Sequence, residues 1–457
     1  MTLELLKDIG EQGLLERLQP FCPPGVVGDD GAVIPPPESG QSLVITTDVL
    51  VNGVHFSDRY GGVSQCTTSP EDAGWRAAAA NLSDLAAMGA SPLGITVGLS
   101  LTGDVAVSWV ERLYQGMTQC LNQYNTPIVG GDICRSPVIT IAITAFGQVY
   151  PDQAIRRTGA KVGHAIVVTG VHGASRAGLE LLLNPDFGKH LSPQERLSLI
   201  KAHQRPQPRL DVIPLLRLQV NRLKVESSNL QPDNLQPDNL QPDNLQPDNL
   251  GLSATLREQP DNFGLSATLR EQPDNFGLSA TLREQPDNFQ PSTLQPSTLQ
   301  PSTLQPSTLQ PSTLQPSTLQ PSTLQPSTLQ PSTLQPSTLL LSIAGMDSSD
   351  GLADAIVQIC RASGVGAEID PNRITLPPSL SKLVSREQAL DWGLYGGEDF
   401  ELVLCLPTEA AEELVAQLGE GAAVIGKITS GNQVWLKDKT GTYADQLLSL
   451  NKGFQHF

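Results

Sequence analysis

Six short acidic motifs, each beside small residues, recur along almost the whole chain. A carboxylate that closes an apolar run in such a setting can lie at a loop tip facing a cleft. Hard cations such as Mg²⁺ prefer oxygen ligands and are commonly shared between carboxylates and substrate phosphates. One such motif alone is typical of a turn or helix cap, but the set together predicts a cation cage. The motifs are Gly28-Asp29-Asp30-Gly31, Thr46-Thr47-Asp48, Asn81-Leu82-Ser83-Asp84, Gly130-Gly131-Asp132, Asp347-Ser348-Ser349-Asp350-Gly351 and Gly396-Gly397-Glu398-Asp399.

The types of ligand present and the motifs that the chain lacks limit the possible reactions. Oxygen-only ligands argue against zinc or copper. The chain contains neither G-x-x-x-x-G-K-[ST] nor G-x-G-x-x-G, so any bound ATP would be held through metals rather than a phosphate loop. No nucleophile elbow or Ser/His/Asp arrangement stands out. Metals combined with an anionic ligand favour phosphoryl transfer, which depends on positioning and charge neutralisation more than on a covalent nucleophile.

Several other residues could meet a phosphate group. Gly130-Gly131 would let backbone N–H groups approach one closely. The basic cluster 156–161, which contains Arg157, could neutralise a phosphate tail or form a solvated turn. His55 follows Asp48 by seven residues and is either structural or a contact to substrate phosphate. The second basic cluster, 203–209, contains two prolines, which favour an extended segment with a structural role.

Composition limits the protein's partners and its surroundings. The chain has 457 residues, enough for two or three domains, and a net charge of −18. That charge argues against nucleic acid or an anionic membrane as a partner, and an anionic ligand would need metals to invert the local field. The N-terminus lacks a leader pattern, no run of about 20 apolar residues occurs, and the six cysteines show no C-x-x-C spacing. We therefore expect a cytoplasmic protein with reduced thiols.

A tract of perfect repeats divides the chain. Residues 231–339 consist of Gln-Pro-Asp-Asn-Leu units, a repeated 13-residue unit and Gln-Pro-Ser-Thr-Leu units. Regular prolines forbid a continuous helix and deny a strand its full ladder. One Leu in each five-residue unit buries too little to offset the ordering entropy, so the tract is predicted to be disordered with some polyproline II character. A five-residue coil that stacks its leucines is the alternative.

Outside the tract, strands and helices alternate, which predicts a fold of the α+β or α/β class. Leu43–Thr47 reads as a strand that ends before Asp48. Ser69-Pro70 begins a helix that Gly89 ends, and Asn81 and Asp84 share one face of it because they lie three residues apart. The expected domains are an N-terminal ATP/Mg-binding domain (1–150), a C-terminal domain in two parts (151–226 and 341–457), and a repeat insertion (227–340).

The residues of these motifs, and their order along the chain, resemble those of thiamine-monophosphate kinases. The stretch Asn81-Leu82-Ser83-Asp84-Leu85-Ala86-Ala87-Met88-Gly89-Ala90 is the most specific part. The resemblance covers both folded blocks and none of the repeat tract. The family belongs to a superfamily of ATP-dependent enzymes that includes aminoimidazole ribonucleotide synthetase and selenophosphate synthetase. Further matching segments are Gly28–Asp30, Thr46–Phe56, Gly130–Asp132, Arg157–Ala160, Asp347–Leu352 and Gly396–Leu402.

The resemblance implies a fold and a reaction. The N-terminal sheet-plus-helices domain would pair with its twin into a dimer-spanning β-barrel, and the C-terminal domain would be α/β. The protein would be a homodimer that converts ATP and thiamine monophosphate into ADP and thiamine diphosphate. We expect direct in-line transfer assisted by several Mg²⁺ ions. No general base is needed, because the acceptor is already a phosphate oxyanion.

The resemblance also implies roles for individual residues, carried over motif by motif. The catalytic group would be Asp48, Asp84, Asp132 and Arg157. Mg²⁺ would be bound by Asp30, Thr46, Thr47, Asp48, Asp84, Asp132, Asp347 and Asp350. ATP would contact Tyr114, Gly131, Asp132, Arg157 and Ser349, whereas thiamine monophosphate would contact His55, Glu398 and Phe454. The chain departs from the family's pattern at Gly31, at Ile133-Cys134 and at Ser348, which replaces a usually apolar residue.

Two other functions remain open on the sequence. Another ATP-dependent synthetase of the same superfamily would carry similar acidic motifs. Alternatively, the chain could be a catalytically weak scaffold with a repeat-based interaction arm. The intact carboxylates argue against a scaffold, because loss of these residues is the expected mark of an inactive copy.

Overall fold

The computed structural model describes residues 4–24, 35–58, 66–219 and 343–453. Asp30, Phe454 and the repeat tract 231–339 lie outside the described residues, so the expectations for them stay predictions. No helix in the described part of the chain is long and apolar enough to cross a membrane.

A four-stranded sheet with helices on one face forms the N-terminal lobe. The strand order is β1-β4-β2-β3, in which only the β2–β3 pair is parallel. Helices α2 and α3 pack on this sheet, and their buried side chains share one core with β2 and β4. The elements are α1 (Leu6–Leu18), β1 (Ser42–Val51), α2 (Pro70–Ala87), β2 (Ser91–Leu101), α3 (Val107–Leu121), β3 (Ile128–Arg135) and β4 (Thr140–Val149).

Helix α2 confirms the predicted helix at Ser69. The Ser69 hydroxyl accepts a bond from the Asp72 N–H at 3.1 Å, and Gly89 leaves the helix with φ +70°. Small residues allow α2 and α3 to approach very closely. A Cβ at Gly74 would lie 1.9 Å from the Leu113 carbonyl oxygen, so only glycine fits there.

Among the described residues, little covers the other face of the N-terminal sheet. Side chains of β1 alternate, so that Leu50 is buried toward α2 whereas Leu43, Ile45 and Val49 point the other way. Those three apolar side chains are 46 %, 58 % and 46 % exposed. The sheet remains open in a single chain, so the expected barrel is not formed by one copy.

A seven-stranded mixed sheet forms the C-terminal lobe, with strand order β11-β10-β7-β9-β5-β8-β6. Strand β5 precedes the repeat tract in sequence, yet it lies between β9 and β8, which follow the tract. The lobe is therefore assembled from both sides of the insertion. Its elements are β5 (Ala165–Val168), α4 (Ala174–Leu183), α5 (Pro193–Gln204), α6 (residues 212–219), β6 (Ala344–Asp347), α7 (Leu352–Ser363), β7 (Gly366–Ile369), α8 (Leu380–Leu383), α9 (Arg386–Tyr395), β8 (Leu402–Leu406), α10 (Thr408–Leu418), β9 (Ala423–Thr429), β10 (Val434–Leu436) and β11 (Gln446–Leu447).

Two acidic motifs lie inside strands rather than at loop tips, so the sequence-based placement of Asp48 and Asp132 was wrong. Strand β1 continues past Thr47 because β4 supplies ladder partners as far as the Val51–Thr140 pair. Strand β3 likewise runs through Gly130-Gly131-Asp132, which pairs with β2. In both cases the neighbouring strand extends the ladder beyond the apolar run. The motifs at 348–351 and 396–399 do lie between regular elements.

Residues 203–209, hereafter the strap, connect the two lobes. The Gln204 amide donates to the Thr67 carbonyl at 2.7 Å, and the Trp75 indole N–H donates to the Pro206 carbonyl at 2.7 Å. At the other end, Arg209 pairs with Glu401 at 2.5 Å. The strap therefore fixes helix α2 of one lobe to the sheet of the other, in agreement with the structural role predicted for this basic cluster.

Candidate active site

Three elements bring carboxylates together where the lobes meet. Asp48 lies on β1, Asp84 on the facing side of α2, and Asp347 at the end of β6. The Thr46 hydroxyl donates to the Asp84 carboxylate, and the Asp48 N–H donates to the Asn81 side-chain oxygen at 3.3 Å. Asn81 and Asp84 thus both face β1, as their spacing on the helix predicted.

Asp347 is nearly enclosed, with 4 % of its surface exposed. Two hydroxyls satisfy its carboxylate: Ser83 donates at 2.7 Å and Ser349 at 3.0 Å. Because Ser83 lies on α2 and Ser349 lies beyond β6, this carboxylate joins the two lobes. Neutral donors orient the carboxylate without cancelling its charge.

The carboxylates raise one another's pKa. Desolvation raises the pKa of Asp48 to about 6, and the charges of Asp347 and Asp350 add to the shift. The pKa of Asp84 is also raised to about 6, by burial and by Asp48, against the opposing effects of Thr46 and Arg157. Burial and Asp84 raise the pKa of Asp347 to about 6. Such mutual repulsion in a cleft is typical of a site that is completed by cations.

The loop 396–400 faces the carboxylates and has unusual backbone geometry. Glu398 and Phe400 have φ of +57° and +53°, which non-glycine residues rarely adopt. Contacts on both sides hold this conformation. The Glu398 N–H donates to the Ser349 carbonyl at 2.7 Å, and the Asp399 carboxylate accepts the N–H groups of Gly173 and Ser175, at the start of α4, at 2.6 and 2.9 Å. Strain of this kind persists where surrounding contacts fix it, commonly at binding sites.

A cavity of about 550 Å³ lies between the carboxylates and this loop. One end is acidic and contains Asp48, Asp84, Asp347 and Asp350. The second end lies around Arg76, eight residues before Asp84 on α2 and so about 12 Å from it along the helix axis, and combines cationic, acidic and apolar groups. The cavity therefore suits an elongated ligand that reaches both ends. The side chains at this second end include Phe56, Arg76, Arg176, Leu179, His203 and Glu398.

The acidic end offers suitable ligands for a metal ion, but they do not form a complete coordination site. No group of three or more His, Cys, Asp or Glu side chains forms a ready metal cage among the described residues. The donors that face the acidic end are carboxylate and hydroxyl oxygens, which suit Mg²⁺. A cation that keeps several waters and shares a ligand's phosphate oxygens would fit this arrangement.

Comparison with known proteins identifies the family. The model of the AIR synthase related protein N-terminal domain matches residues 28–149, and that of the corresponding C-terminal domain matches residues 338–439. A protein of Synechococcus elongatus named thiamine-monophosphate kinase is 38 % identical, over 100 % of this chain and 99 % of that protein. The chain belongs to the thiamine-monophosphate kinase family.

Solved structures agree on the fold of this thiamine-monophosphate kinase family member. One, described as AaThiL complexed with AMPPCP and TMP, has a TM-score of 0.55 and 24 % identity, covering 100 % of this chain and 99 % of that one. The hydrogenase maturation protein HypE in complex with ATP has a TM-score of 0.56 and 16 % identity, covering 98 % of this chain and 97 % of that one. Both show the fold alone.

Most of the predicted site residues converge on the cavity. Thr46 contacts Asp84 directly, and the charge of Arg157 reaches Asp84 and lowers its pKa. Arg157 also donates to Gln358. The cavity is lined by Asp48, His55, Asp84, Asp347, Ser349, Asp350 and Glu398.

Other predicted residues lie elsewhere in the single chain. The Thr47 side chain lies on the opposite face of β1 and contacts Thr144 at 2.9 Å, which leaves only its backbone able to face Asp84. Gly131 and Asp132 belong to β3, three strand spacings from β1, or about 14 Å. Tyr114 is 5 % exposed and packs against Phe21 in the N-terminal lobe.

Sequence reasoning missed three ionisable residues at the second end of the cavity. No motif singled out Arg76 or Arg176, and His203 was given only a structural role. A signal for Arg76 was present. It is an isolated charge in the Ala-rich stretch Trp75-Arg76-Ala77-Ala78-Ala79, and a buried charge requires a partner. The partners lie far away in sequence, so no local pattern indicated them.

The raised carboxylate pKa values predict a trade-off between stability and function. Because the folded-state pKa of Asp48, about 6, exceeds its ordinary value, the folded protein loses stability as the pH rises through 6. Asp48→Asn should therefore stabilise the metal-free protein by about 1–2 kcal/mol near neutral pH, and this gain should shrink as the pH falls towards 4. Urea unfolding in the presence of a chelator, at several pH values, measures the change.

The matched control for this prediction is Asp186→Asn. The Asp186 side chain is 91 % exposed and pairs with Lys189 on the surface. Its substitution should leave the free energy of unfolding nearly unchanged at all pH values. A gain from Asp48→Asn that is absent, or independent of pH, would contradict the electrostatic account of the cluster.

Proposed function

We propose that this protein transfers the γ-phosphoryl group of ATP to the phosphate of thiamine monophosphate, giving thiamine diphosphate. One observation carries the proposal: the acidic cluster and the substrate candidates His55 and Glu398 line the same cavity, as the family's reaction requires. The similar structure described with AMPPCP and TMP, an ATP analogue and a phosphate ligand, supports this assignment.

We further propose that Mg²⁺ is held at the acidic end by Asp48, Asp84, Asp347 and Asp350, with Asp30 and Asp132 as additional candidates. When bound, Mg²⁺ would neutralise the phosphate charge on the donor and acceptor. Hydroxyl groups of the chain hold the carboxylates that would bind the metal. Thr46 orients Asp84, while Ser83 and Ser349 orient Asp347. Placing the ligands before the phosphates arrive lowers the cost of reorganisation during transfer.

The transfer itself needs little chemistry from the side chains. The acceptor is an oxyanion at neutral pH, so no group must remove a proton from it, and direct in-line displacement follows. Arg157 is close enough to Asp84 to lower its pKa and is the cation available to offset charge on the phosphates. At the other end, the Glu398 carboxylate suits the positively charged thiazolium ring of thiamine. The cavity's two ends would thus set the direction in which the substrate binds.

We propose that the protein forms a homodimer through the uncovered face of the N-terminal sheet. The half-exposed Leu43, Ile45 and Val49 form a row on one face of β1, and such apolar rows mark interaction surfaces. In the part of the chain that the structure describes, β1 and β3 are the edge strands of this open sheet, and pairing at such edges is how two sheets would close a barrel. A barrel would also explain why Asp132 lies on an edge strand, away from Asp48 of its own chain.

We also propose that the repeat tract takes no part in turnover. The described residues that line the cavity come from the segments 48–84, 176–203 and 347–400, which flank the tract in sequence. Closing a longer loop costs little additional entropy, since the cost grows only with the logarithm of loop length.

The first prediction from the proposed function concerns turnover. The protein should release ADP in a manner that depends on thiamine monophosphate and Mg²⁺. Asp84→Asn should reduce this rate by about a hundredfold or more, because a ligand of the phosphate-bound cations is lost. The Asp186→Asn control should keep wild-type activity. ADP release that ignores thiamine monophosphate would favour another synthetase of the superfamily, and near-normal activity of Asp84→Asn at saturating Mg²⁺ would refute the metal assignment.

The second prediction concerns the dimer. Ile45→Glu places a charge on the apolar row and should convert the protein to a monomer in sedimentation or light-scattering measurements. Leu197→Glu is the matched control, since Leu197 on α5 is also 58 % exposed but lies on the other lobe. A wild-type monomer, or a dimer that survives Ile45→Glu, would count against this interface.

The third prediction concerns the tract. A chain without residues 231–339 should retain kcat and both KM values within about twofold, because the connection that remains can still join the flanking elements. The matched control is a chain in which the tract is replaced by a glycine/serine segment of equal length. A large loss of kcat in the shortened chain alone would show that the tract contributes to turnover.

A further inference from the structure

Arg76 is a buried cation in an alanine-rich stretch of helix α2. It belongs to α2, has 3 % of its surface exposed, and its neighbours Ala77, Ala78 and Ala79 are fully buried. A guanidinium in such a place is costly unless charged and polar partners surround it. Its partners in the structure therefore indicate what it does.

The guanidinium joins three separate segments around the second end of the cavity. One terminal nitrogen donates to the His203 carbonyl, at the start of the strap. The other donates to the His55 carbonyl at 3.3 Å and to the Glu398 carboxylate. Two of these three residues, His55 and Glu398, are among the proposed contacts to thiamine monophosphate. One side chain thus connects the turn after β1, the strap and the strained loop.

The Glu398 side chain lies between Arg76 and His203. Its backbone holds the left-handed conformation at φ +57°, and its side chain is one-third exposed to the cavity. The imidazole Nδ1 of His203 lies 3.5 Å from the other carboxylate oxygen. Burial, together with Arg76 and Arg176, keeps the pKa of His203 well below its ordinary value, so this imidazole is neutral at neutral pH. Arg76 therefore supplies the positive charge that contacts the carboxylate.

We propose that Arg76 is a positioning residue that acts through Glu398 and the His55 backbone to shape the thiamine end of the cavity. The inference rests on the proposed function, which supplies the substrate. Arg76 precedes Asp84 by eight residues on α2, which separates them by about 12 Å along the helix axis. Its donors are directed at the substrate end, so its contribution belongs to substrate binding rather than to ATP or metal binding.

Lysine cannot replace Arg76 in this role. The guanidinium presents several donors in a fixed plane, which allows it to contact two carbonyls and a carboxylate at once. A lysine ammonium is a point charge on a flexible stem and would satisfy fewer of these partners. Arg76→Lys therefore keeps the charge but loses the geometry.

The test compares Arg76→Lys with a matched control, Arg112→Lys. Arg112 lies on the adjacent helix α3 and pairs with Glu71 at the surface, with half of its side chain exposed. Arg76→Lys should raise the KM and the calorimetric Kd for thiamine monophosphate about tenfold, the size typical of losing a partner that orients a binding group. The KM for ATP should change less than about twofold, and Arg112→Lys should change neither. Equal effects on both KM values, or none on either, would overturn the proposal.

A double-mutant cycle decides whether Arg76 acts through Glu398. In a Glu398→Gln background, Arg76→Lys should have less than about a twofold effect on thiamine monophosphate binding, because the oriented carboxylate is already lost. Independent, multiplying effects would overturn the proposal. If Arg76→Lys fails to fold, Glu398→Gln alone tests the same link, since it should raise the KM for thiamine monophosphate and spare that for ATP; an unchanged KM would refute it.

A substrate-free measurement separates this inference from the proposed function. The two substitutions should also be non-additive in the thermal unfolding midpoint of the metal-free protein, since each breaks the same contact. If wild-type protein shows no activity towards thiamine monophosphate, the proposed function fails, yet this coupling still shows whether Arg76 holds Glu398. Additive midpoints would overturn the positioning role whatever the substrate.

Discussion

Repulsion between buried carboxylates is the constraint on which the rest of this structure depends. Asp48, Asp84 and Asp347 come from three elements, and each has its pKa raised to about 6 by burial and by like charges. Left to itself, such a cluster would separate the lobes or take up protons. The fold opposes this with neutral hydrogen-bond donors, Thr46, Ser83 and Ser349, which orient the charges without removing them. The cluster therefore keeps an excess of negative charge facing the cavity.

Holding the lobes together therefore falls to contacts away from the cluster. The strap ties Thr67 and Trp75 of the N-terminal lobe to residues that continue into the C-terminal lobe, where Arg209 pairs with Glu401. Arg76 adds a second connection at the other end of the cavity. Truncating one partner of such a buried pair is costly, because the other charge is then left unpaired. The attraction around Arg76 at the second end of the cavity thus opposes the repulsion at the acidic end.

The sequence predicted those parts of the fold that depend on local rules. Ser69, Gly89 and the spacing of Asn81 and Asp84 follow from helix geometry, and the structure confirms them. Asp48 was misplaced, because the length of β1 is set by its ladder with β4 and not by its own apolar run. The position of Asp132 depends on a strand order in which β4 and β2 lie between β1 and β3. Arg76 stands out in the sequence as a single charge among alanines. Its partners Glu398 and His203, however, are brought to it only by the tertiary fold.

The place where the repeats enter the sequence follows from the topology of the C-terminal sheet. The tract lies between α6 and β6, and β6 is the edge strand of that sheet. Its ladder partner is β8, and on its other side Ala344 forms an isolated bridge with Arg156. A chain that reaches the sheet at its edge crosses no ladder, so extra residues there leave every strand pair intact. Asp347 at the end of β6 can therefore reach Ser83 at whatever length the preceding connection has, because its register is fixed by β8.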